Sequence, residues 1–170
     1  MMNEYTKQAN EFLKKANATI KIDFVGLAIN KEWKEKDKRN LYEITLTTPG
    51  GSMVFDFWDS IHNTEIKAMS LETYVEKCYK RRFASLNYSE KLKAQKELKE
   101  KKAAAQPTAY DVLACMTKYN PGTFENFCSE FGYDEDSRTA ERIYFAVQKE
   151  YSQLARIFTP EQLEEMQEIN

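Results

Sequence analysis

Histidine is almost absent from this chain of 170 residues, which contains only His62. A Ser-His-Asp or Cys-His catalytic arrangement would have to use that residue, because both need an imidazole as the base. His62 follows a predicted strand, and the sequence around it has no nucleophile elbow. We therefore expect an exposed loop histidine and a protein that is not an enzyme.

Cysteine is also scarce, with three residues that lie far apart: Cys78, Cys115 and Cys128. They form no C-x-x-C pair, so the sequence does not predict a structural zinc site. Cys115 and Cys128 fall on the apolar faces of predicted helices, which is typical of small core residues. Without a secretory signal, all three are expected to be reduced thiols in a cytosol.

Carboxylates could bind a hard cation in two places, at Asp56 with Asp59 and at residues 134–136. The second cluster does not match a calcium-binding loop, because Gly132 comes before the acidic run instead of within it. Asp136 is more simply interpreted as the N-cap of a helix. The sequence therefore predicts neither a bound metal nor any other cofactor.

Long apolar runs are missing as well. No stretch approaches the roughly 18 consecutive apolar residues that a transmembrane helix needs, so we expect no membrane interaction. Residues 1–15 are polar and charged, without the apolar segment of a secretory signal. These absences favour a cytoplasmic protein.

Charge is distributed unevenly, although the formal net charge is only −2. Residues 60–105 carry 11 basic and 6 acidic side chains, whereas residues 106–170 carry 5 basic and 12 acidic ones. Both regions could simply be solvated helix faces. Alternatively, the basic region could bind phosphates and the acidic region could bind a basic protein.

The first third of the chain is predicted to be a helix and three strands. Residues 4–16 have helical apolar spacing, and residues 19–29, 41–48 and 53–58 alternate with the period of strands. A connection over residues 49–52, Pro-Gly-Gly-Ser, indicates a β-hairpin. One face of that hairpin should carry the following apolar side chains: Tyr42, Ile44, Leu46, Met53, Phe55 and Phe57.

Helices are predicted for the rest of the chain. Residues 71–83 and 88–105 form a basic connection, and the second of these helices is almost wholly polar, so we expect little tertiary support for it. Helices capped by Thr108, Thr123 and Thr159 surround a long helix over residues 137–158. The sequence therefore predicts an α+β fold, in which residues 60–106 connect an N-terminal sheet unit (1–59) to an acidic four-helix unit (107–170) and the two outer units form one compact domain.

Residues 107–158, and in particular 107–115 (PTAYDVLAC) and 122–134 (GTFENFCSEFGYD), resemble a family of small accessory proteins of tailed bacteriophages and integrated mobile elements. Residues 19–57 are also similar to the β-hairpin segment that precedes the helices in that family. The stretch 60–105 is longer than the family pattern. The resemblance brings no assigned reaction, but it implies an accessory phage protein that acts in the cytoplasm of a bacterial host.

Accessory phage proteins of this size are often inhibitors of host defence, including anti-CRISPR proteins. An acidic helical unit suits this class, since it can occupy a basic nucleic-acid groove on a host defence effector. The sequence thus predicts a non-enzymatic inhibitor that binds a host protein through an acidic surface. The candidate partner-binding residues are Asp134, Glu135, Glu141, Glu150, Glu164, Glu165 and Glu168.

The alternative is a single-stranded nucleic-acid-binding protein of phage DNA metabolism. Trp58 lies on the sheet face opposite Phe55 and Phe57, where an aromatic ring beside basic residues could stack on bases. A helix could equally cover that face. The candidate nucleic-acid-binding residues are Trp58, Lys80, Arg81 and Arg82.

Overall fold

The computed structural model describes residues 4–31, 36–117 and 122–169. It confirms the α+β fold with three antiparallel strands, in the order β1-β2-β3. The sequence also predicts that Trp33 lies in a charged loop and that Asn120-Pro121-Gly122 breaks a helix, but Trp33, Asn120 and Pro121 lie outside the described residues. The strands are β1 (Thr19–Ile29), β2 (Lys38–Thr48) and β3 (Gly51–Trp58), and the helices are α1 (Glu4–Lys15), α2 (Ile61–Ala68), α3 (Leu71–Tyr79), α4 (Tyr88–Ala104), α5 (Ala109–Thr117), α6 (Phe124–Phe131), α7 (Arg138–Ile157) and α8 (Pro160–Glu168).

Contacts divide the chain into two compact units, each built from separate segments. The first unit comprises Met1–Asp23, Glu43–Phe55 and Thr108–Asn170. The second comprises Phe24–Tyr42 and Asp56–Pro107. The acidic C-terminal helices therefore belong to the first unit, and the basic stretch belongs to the second.

The predicted inner face of the hairpin is confirmed. Its six apolar side chains are buried or half-buried, whereas Asp56 between two of them is exposed. The alternation follows from the period of a strand, in which successive side chains point to opposite faces. The connection is shorter than predicted, because only Pro49 and Gly50 lie between the strands and Gly51 already begins β3.

The hairpin turn packs against the end of α7 within the first unit. The Thr48 hydroxyl donates a hydrogen bond to the Ile157 carbonyl oxygen at 2.6 Å. A Cβ atom added to Gly50 would lie 2.8 Å from the same oxygen, closer than real Cβ contacts. Glycine is therefore required at position 50 by this close approach of two backbones.

The helices of the first unit begin and end largely where the sequence predicts. Thr123 caps α6, Gly132 ends it in the left-handed conformation, and Thr159 forms a capping box with Gln162 at the start of α8. The N-cap of α7 is Ser137, whose hydroxyl accepts the Ala140 N–H at 3.3 Å. The interpretation of Asp136 as that cap is therefore wrong.

The main apolar core of the first unit lies among α1, α5, α7, α8 and the inner face of the sheet. Leu46 and Met166 are fully buried in it, and the ring centres of Phe12 and Phe158 are 5.9 Å apart. Burial of each such side chain contributes about 1.5–3 kcal/mol to folding. This core fixes the helices that carry the acidic residues.

The second unit corrects the expectation that residues 88–105 lack tertiary support. Ala94 and Leu98 of α4 are buried against Tyr74 and Val75 of α3 and against Leu86. Residues 61–68 form α2, which the sequence did not predict, and it also contacts α4. The basic stretch is thus a packed three-helix layer.

The hydroxyl groups of Tyr74 and Tyr79 both donate to Glu97 Oε2 of α4, at 3.2 and 3.1 Å. Burial and the hydrogen bond to the Glu97 carboxylate raise the pKa of both tyrosines above the ordinary value of 10.0. The unfolded chain ionises these groups at a lower pH than the folded chain does. Their stabilising contribution is therefore complete below pH 10 and is lost as the pH rises above it.

Above pH 10, the free energy of unfolding of the wild type should fall as the pH rises, because the unfolded chain releases the Tyr74 proton first. Tyr74→Phe has no such proton, so its unfolding free energy should fall less steeply, by a slope equivalent to up to one proton. Urea unfolding between pH 8 and pH 11 measures this dependence. Tyr88→Phe is the matched control, because Tyr88 is exposed at the start of α4. An equal pH dependence in wild type and Tyr74→Phe would contradict the assignment.

Candidate protein-binding surface

The predicted acidic residues do not form one surface. Asp134, Glu135 and Glu141 lie just before α7 and in its first turns, whereas Glu164 and Glu168 lie on α8, which follows the other end of α7. A helix of 20 residues is about 30 Å long. The structure therefore brings together the acidic residues near the start of α7 and places those of α8 elsewhere.

Two of the predicted acidic residues are less available than expected. Glu165 is paired with Lys15 of α1, with a nitrogen–oxygen distance of 2.7 Å. Desolvation raises the pKa of the Glu150 carboxyl, although the side chain as a whole is exposed. Glu165 therefore forms an exposed ion pair between α8 and α1, and reversing its charge would remove that contact as well as change any partner contact.

Exposed aromatic side chains lie next to the acidic residues at the start of α7. Phe131 is 40% exposed, Tyr133 39% and Phe145 57%. Phe131 follows Phe127 and Cys128 at the helical spacing of an apolar stripe, which predicts a buried residue. That prediction is wrong, because Phe131 is the last residue of α6 and stays partly exposed although its ring contacts Phe127. Phe145 lies off the predicted apolar stripe of α7, which was the available signal for an outward aromatic ring.

These exposed rings pack against buried aromatic residues. The Phe127 ring centre is 5.0 Å from Phe131, 5.7 Å from Tyr133 and 5.6 Å from Tyr144. Phe145 lies 5.8 Å from Tyr144. Ring pairs at such distances attract each other through their quadrupoles, so the exposed rings are held in place.

Tyr144 is itself fixed by hydrogen bonds. Its hydroxyl donates to the Gly122 carbonyl oxygen at 2.9 Å and accepts from Gln148 Nε2 at 2.7 Å. The Phe124 ring packs against Tyr144 edge-on at 5.3 Å. Tyr144, which contacts Phe145, is therefore held in place by residues of both α6 and α7.

The carboxylates around these rings give the surface its charge. Asp134 and Glu135 are exposed. Burial of the Cys128 thiol raises its pKa, and the negative charges of Glu135 and Asp134 raise it further. Glu141 precedes Phe145 by four residues and so shares its helix face. Residues 130–145 carry five acidic and two basic side chains. We call Phe131, Tyr133, Phe145, Asp134, Glu135 and Glu141 the aromatic–acidic surface.

The candidate nucleic-acid-binding residues all belong to the second unit, where one of the three cations is already engaged. Arg81 donates to Glu90 Oε1 at 2.9 Å and to the Ser85 carbonyl oxygen at 2.8 Å. Lys80 ends α3 in a left-handed conformation, and it and Arg82 are exposed, while Trp58 is half-buried. Arg81 thus holds the loop before α4.

The structure corrects part of what the sequence predicted for His62, Asp59 and the cysteines, the residues considered for catalysis or metal binding. His62 lies on α2 and not in a loop, and it is exposed as expected. The Asp59 carboxylate is buried and accepts hydrogen bonds from Asn63 and Lys67. Cys115 is exposed, which corrects the prediction of a core residue, while Cys128 is buried as predicted. Within the described ranges, no three His, Cys, Asp or Glu side chains are grouped as metal ligands would be.

Comparison with known proteins identifies no relative. No family model matches the chain, and no curated protein or solved structure matches it either. The resemblance to phage accessory proteins therefore stays a prediction. Among the helices that the structure describes, none has the length and apolar character to cross a bilayer.

Proposed function

We propose that this protein is a non-enzymatic accessory protein of a phage or mobile element, which binds a basic host protein through the aromatic–acidic surface and thereby inhibits bacterial defence. The observation that carries the proposal is that three exposed aromatic rings pack on the same pair of buried rings, Phe127 and Tyr144, in a segment rich in carboxylates. The sequence resemblance supplies the phage context. The site of action would be the host cytoplasm.

The aromatic rings supply the affinity in this proposal. Hot spots at protein interfaces are enriched in aromatic side chains that fill pockets on the partner. Phe131, Tyr133 and Phe145 are already held by Phe127 and Tyr144, so binding costs little side-chain entropy. An Arg or Lys of the partner can also lie over a ring face as a cation–π contact.

The carboxylates supply the preference for a basic partner. Exposed acidic groups speed the encounter with a positively charged surface and disfavour acidic partners. A protein groove that binds nucleic acid is such a surface, because it must neutralise phosphates. Occupation of that groove would exclude the nucleic acid, which is how a binding protein without catalytic residues can inhibit a defence effector.

Asp134→Lys with Glu135→Lys should weaken capture of the host partner about tenfold, because charge reversal replaces attraction by repulsion. Capture from nuclease-treated host lysate, followed by phage infection assays in cells that make each variant, measures the effect. Both residues precede the N-terminus of α7, where acidic groups contribute about 0.3–1 kcal/mol to the helix. The thermal unfolding midpoint of each variant must therefore be compared first.

Glu164→Lys with Glu168→Lys is the matched control, because both side chains are exposed on α8. Glu165 is left unchanged so that its ion pair with Lys15 survives. If capture and phage protection are lost in this control and kept in the Asp134 and Glu135 variant, the binding face is α8. If neither variant matters and capture succeeds from untreated lysate but fails from nuclease-treated lysate, the alternative based on Trp58 and Arg82 replaces the proposal.

A further inference from the structure

The second unit contains a cavity of about 420 Å³ among α2, α3 and α4. Small-molecule sites in proteins have volumes of about 300–1,000 Å³. The cavity therefore has room for a small ligand. Most of its lining is apolar: Ile66, Met69, Leu98, Ala104, Ala105 and the ring of Tyr74.

The charged side chains of the lining are basic. These are Lys77 and Lys101; His62 and Asn63 also line the cavity, and no carboxylate is among the described lining residues. Glu97, the nearby acidic residue of α4, accepts hydrogen bonds from the hydroxyls of Tyr74 and Tyr79. Its negative charge is thus engaged outside the cavity.

Tyr74 contributes its aromatic ring to the lining of the cavity. Its hydroxyl is turned to Glu97, so its ring forms a wall of the cavity. The Lys101 ammonium lies 5.3 Å from the centre of that ring. Lys77 and Lys101 are both exposed, whereas Leu98 is buried, which places the positive charges at the mouth and the apolar surface deeper inside.

We propose that this cavity binds a small amphipathic carboxylate, whose apolar chain lies against Leu98 and Ile66 and whose carboxylate lies between Lys77 and Lys101. Two ammonium groups above an apolar floor complement that combination of head and chain. Neutral and cationic amphiphiles lack the head group that the lysines select. This site is independent of the aromatic–acidic surface, which belongs to the other unit.

Decanoate is a suitable probe, and isothermal titration of the full chain measures its binding. We expect saturable binding at one site, with decanol and decyltrimethylammonium binding more weakly. Lys77→Gln with Lys101→Gln should weaken decanoate binding about fivefold to tenfold, since exposed ion pairs contribute modestly. Lys96→Gln with Lys99→Gln is the matched control, because both lysines are exposed on α4 and do not line the cavity.

Ala104→Trp tests the cavity itself. Ala104 is exposed at the end of α4, so a large side chain there should close the mouth without disturbing buried residues, and decanoate should no longer bind. Circular dichroism checks that this variant is folded. Equal affinity for decanol and decanoate, or unchanged decanoate binding in Ala104→Trp, would overturn the proposal.

Cys78 gives a second readout in the unmodified protein. Its thiol lines the cavity and is exposed, so bound decanoate should slow its alkylation by iodoacetamide. Cys115 is an exposed internal control in the first unit and should react at an unchanged rate. Alkylation of Cys78 at the same rate with and without saturating decanoate would also overturn the proposal.

Discussion

Phe127→Ala is expected to lower the free energy of unfolding by about 3–5 kcal/mol, as for a buried aromatic residue that leaves a cavity. Phe127 is only 4% exposed and packs against Phe131, Tyr133 and Tyr144. Urea unfolding of both proteins measures the difference. The same truncation removes the support of the exposed rings, so partner binding should weaken even where the variant is folded.

Phe145→Ala is the control, because its ring is mostly exposed and its removal opens no internal cavity. It should cost less than about 1 kcal/mol of stability, within the range of surface substitutions. A loss below about 1 kcal/mol for Phe127→Ala would show that the aromatic cluster does not hold α6 to α7. The description of the aromatic–acidic surface would then be wrong.

Lys67→Met is expected to cost a similar amount, about 3–5 kcal/mol, because it leaves the Asp59 carboxylate buried without its cation. The Lys67 ammonium lies 3.3 Å from Asp59 Oδ2, and the two side chains are 14% and 3% exposed. It also lies 4.5 Å from the centre of the Tyr42 ring. Burial lowers the pKa of Lys67, which reflects the cost of removing its charge from water.

A second substitution separates the charge from the packing. Asp59→Asn keeps the shape of the side chain and removes its charge, so Lys67→Met with Asp59→Asn should be more stable than Lys67→Met alone. The rescue should be partial, because in Lys67→Met the Asp59 carboxylate still accepts hydrogen bonds from Asn63 and from the Ser60 N–H. Unfolding free energies that simply add in the double variant would show that the two charges do not interact.

Local patterns predicted much of the fold. The alternation of Tyr42, Ile44 and Leu46 determined the inner face of the sheet, because one shift of register would expose all of them. Thr123 and Thr159 were correctly predicted as helix N-caps, since capping depends on neighbouring residues only. These features are decided within a few residues of sequence.

Features that depend on distant residues were not predictable in the same way. Ala94 and Leu98 look too few to anchor α4, yet they are buried by Tyr74 and Val75 of another helix. The sequence of α2 is short and polar, so it carried no helical periodicity. Its N-cap, Ser60, was a signal that the sequence analysis missed.

In the candidate site, too, some features follow from the local sequence and others depend on distant residues. The acidic character of residues 106–170 is visible in composition, but which carboxylates are available depends on the fold. Glu165 pairs with Lys15, which lies 150 positions earlier in the chain. Phe131 follows the helical spacing of Phe127 and Cys128, yet it is partly exposed at the C-terminal end of α6, while both of those residues are buried.

The most direct test of the proposed binding surface is the dissociation constant of the purified host partner for wild type and for Phe145→Ala, measured at two salt concentrations. We expect Phe145→Ala to bind about thirtyfold more weakly, as for an aromatic hot spot of about 2 kcal/mol. Tyr88→Ala, an exposed aromatic in the other unit, should bind as wild type. Binding should weaken as salt rises, because screening acts on the exposed carboxylates. If wild type and Phe145→Ala bound the partner with equal affinity, and salt had no effect on either, the proposed role of the aromatic–acidic surface would be contradicted.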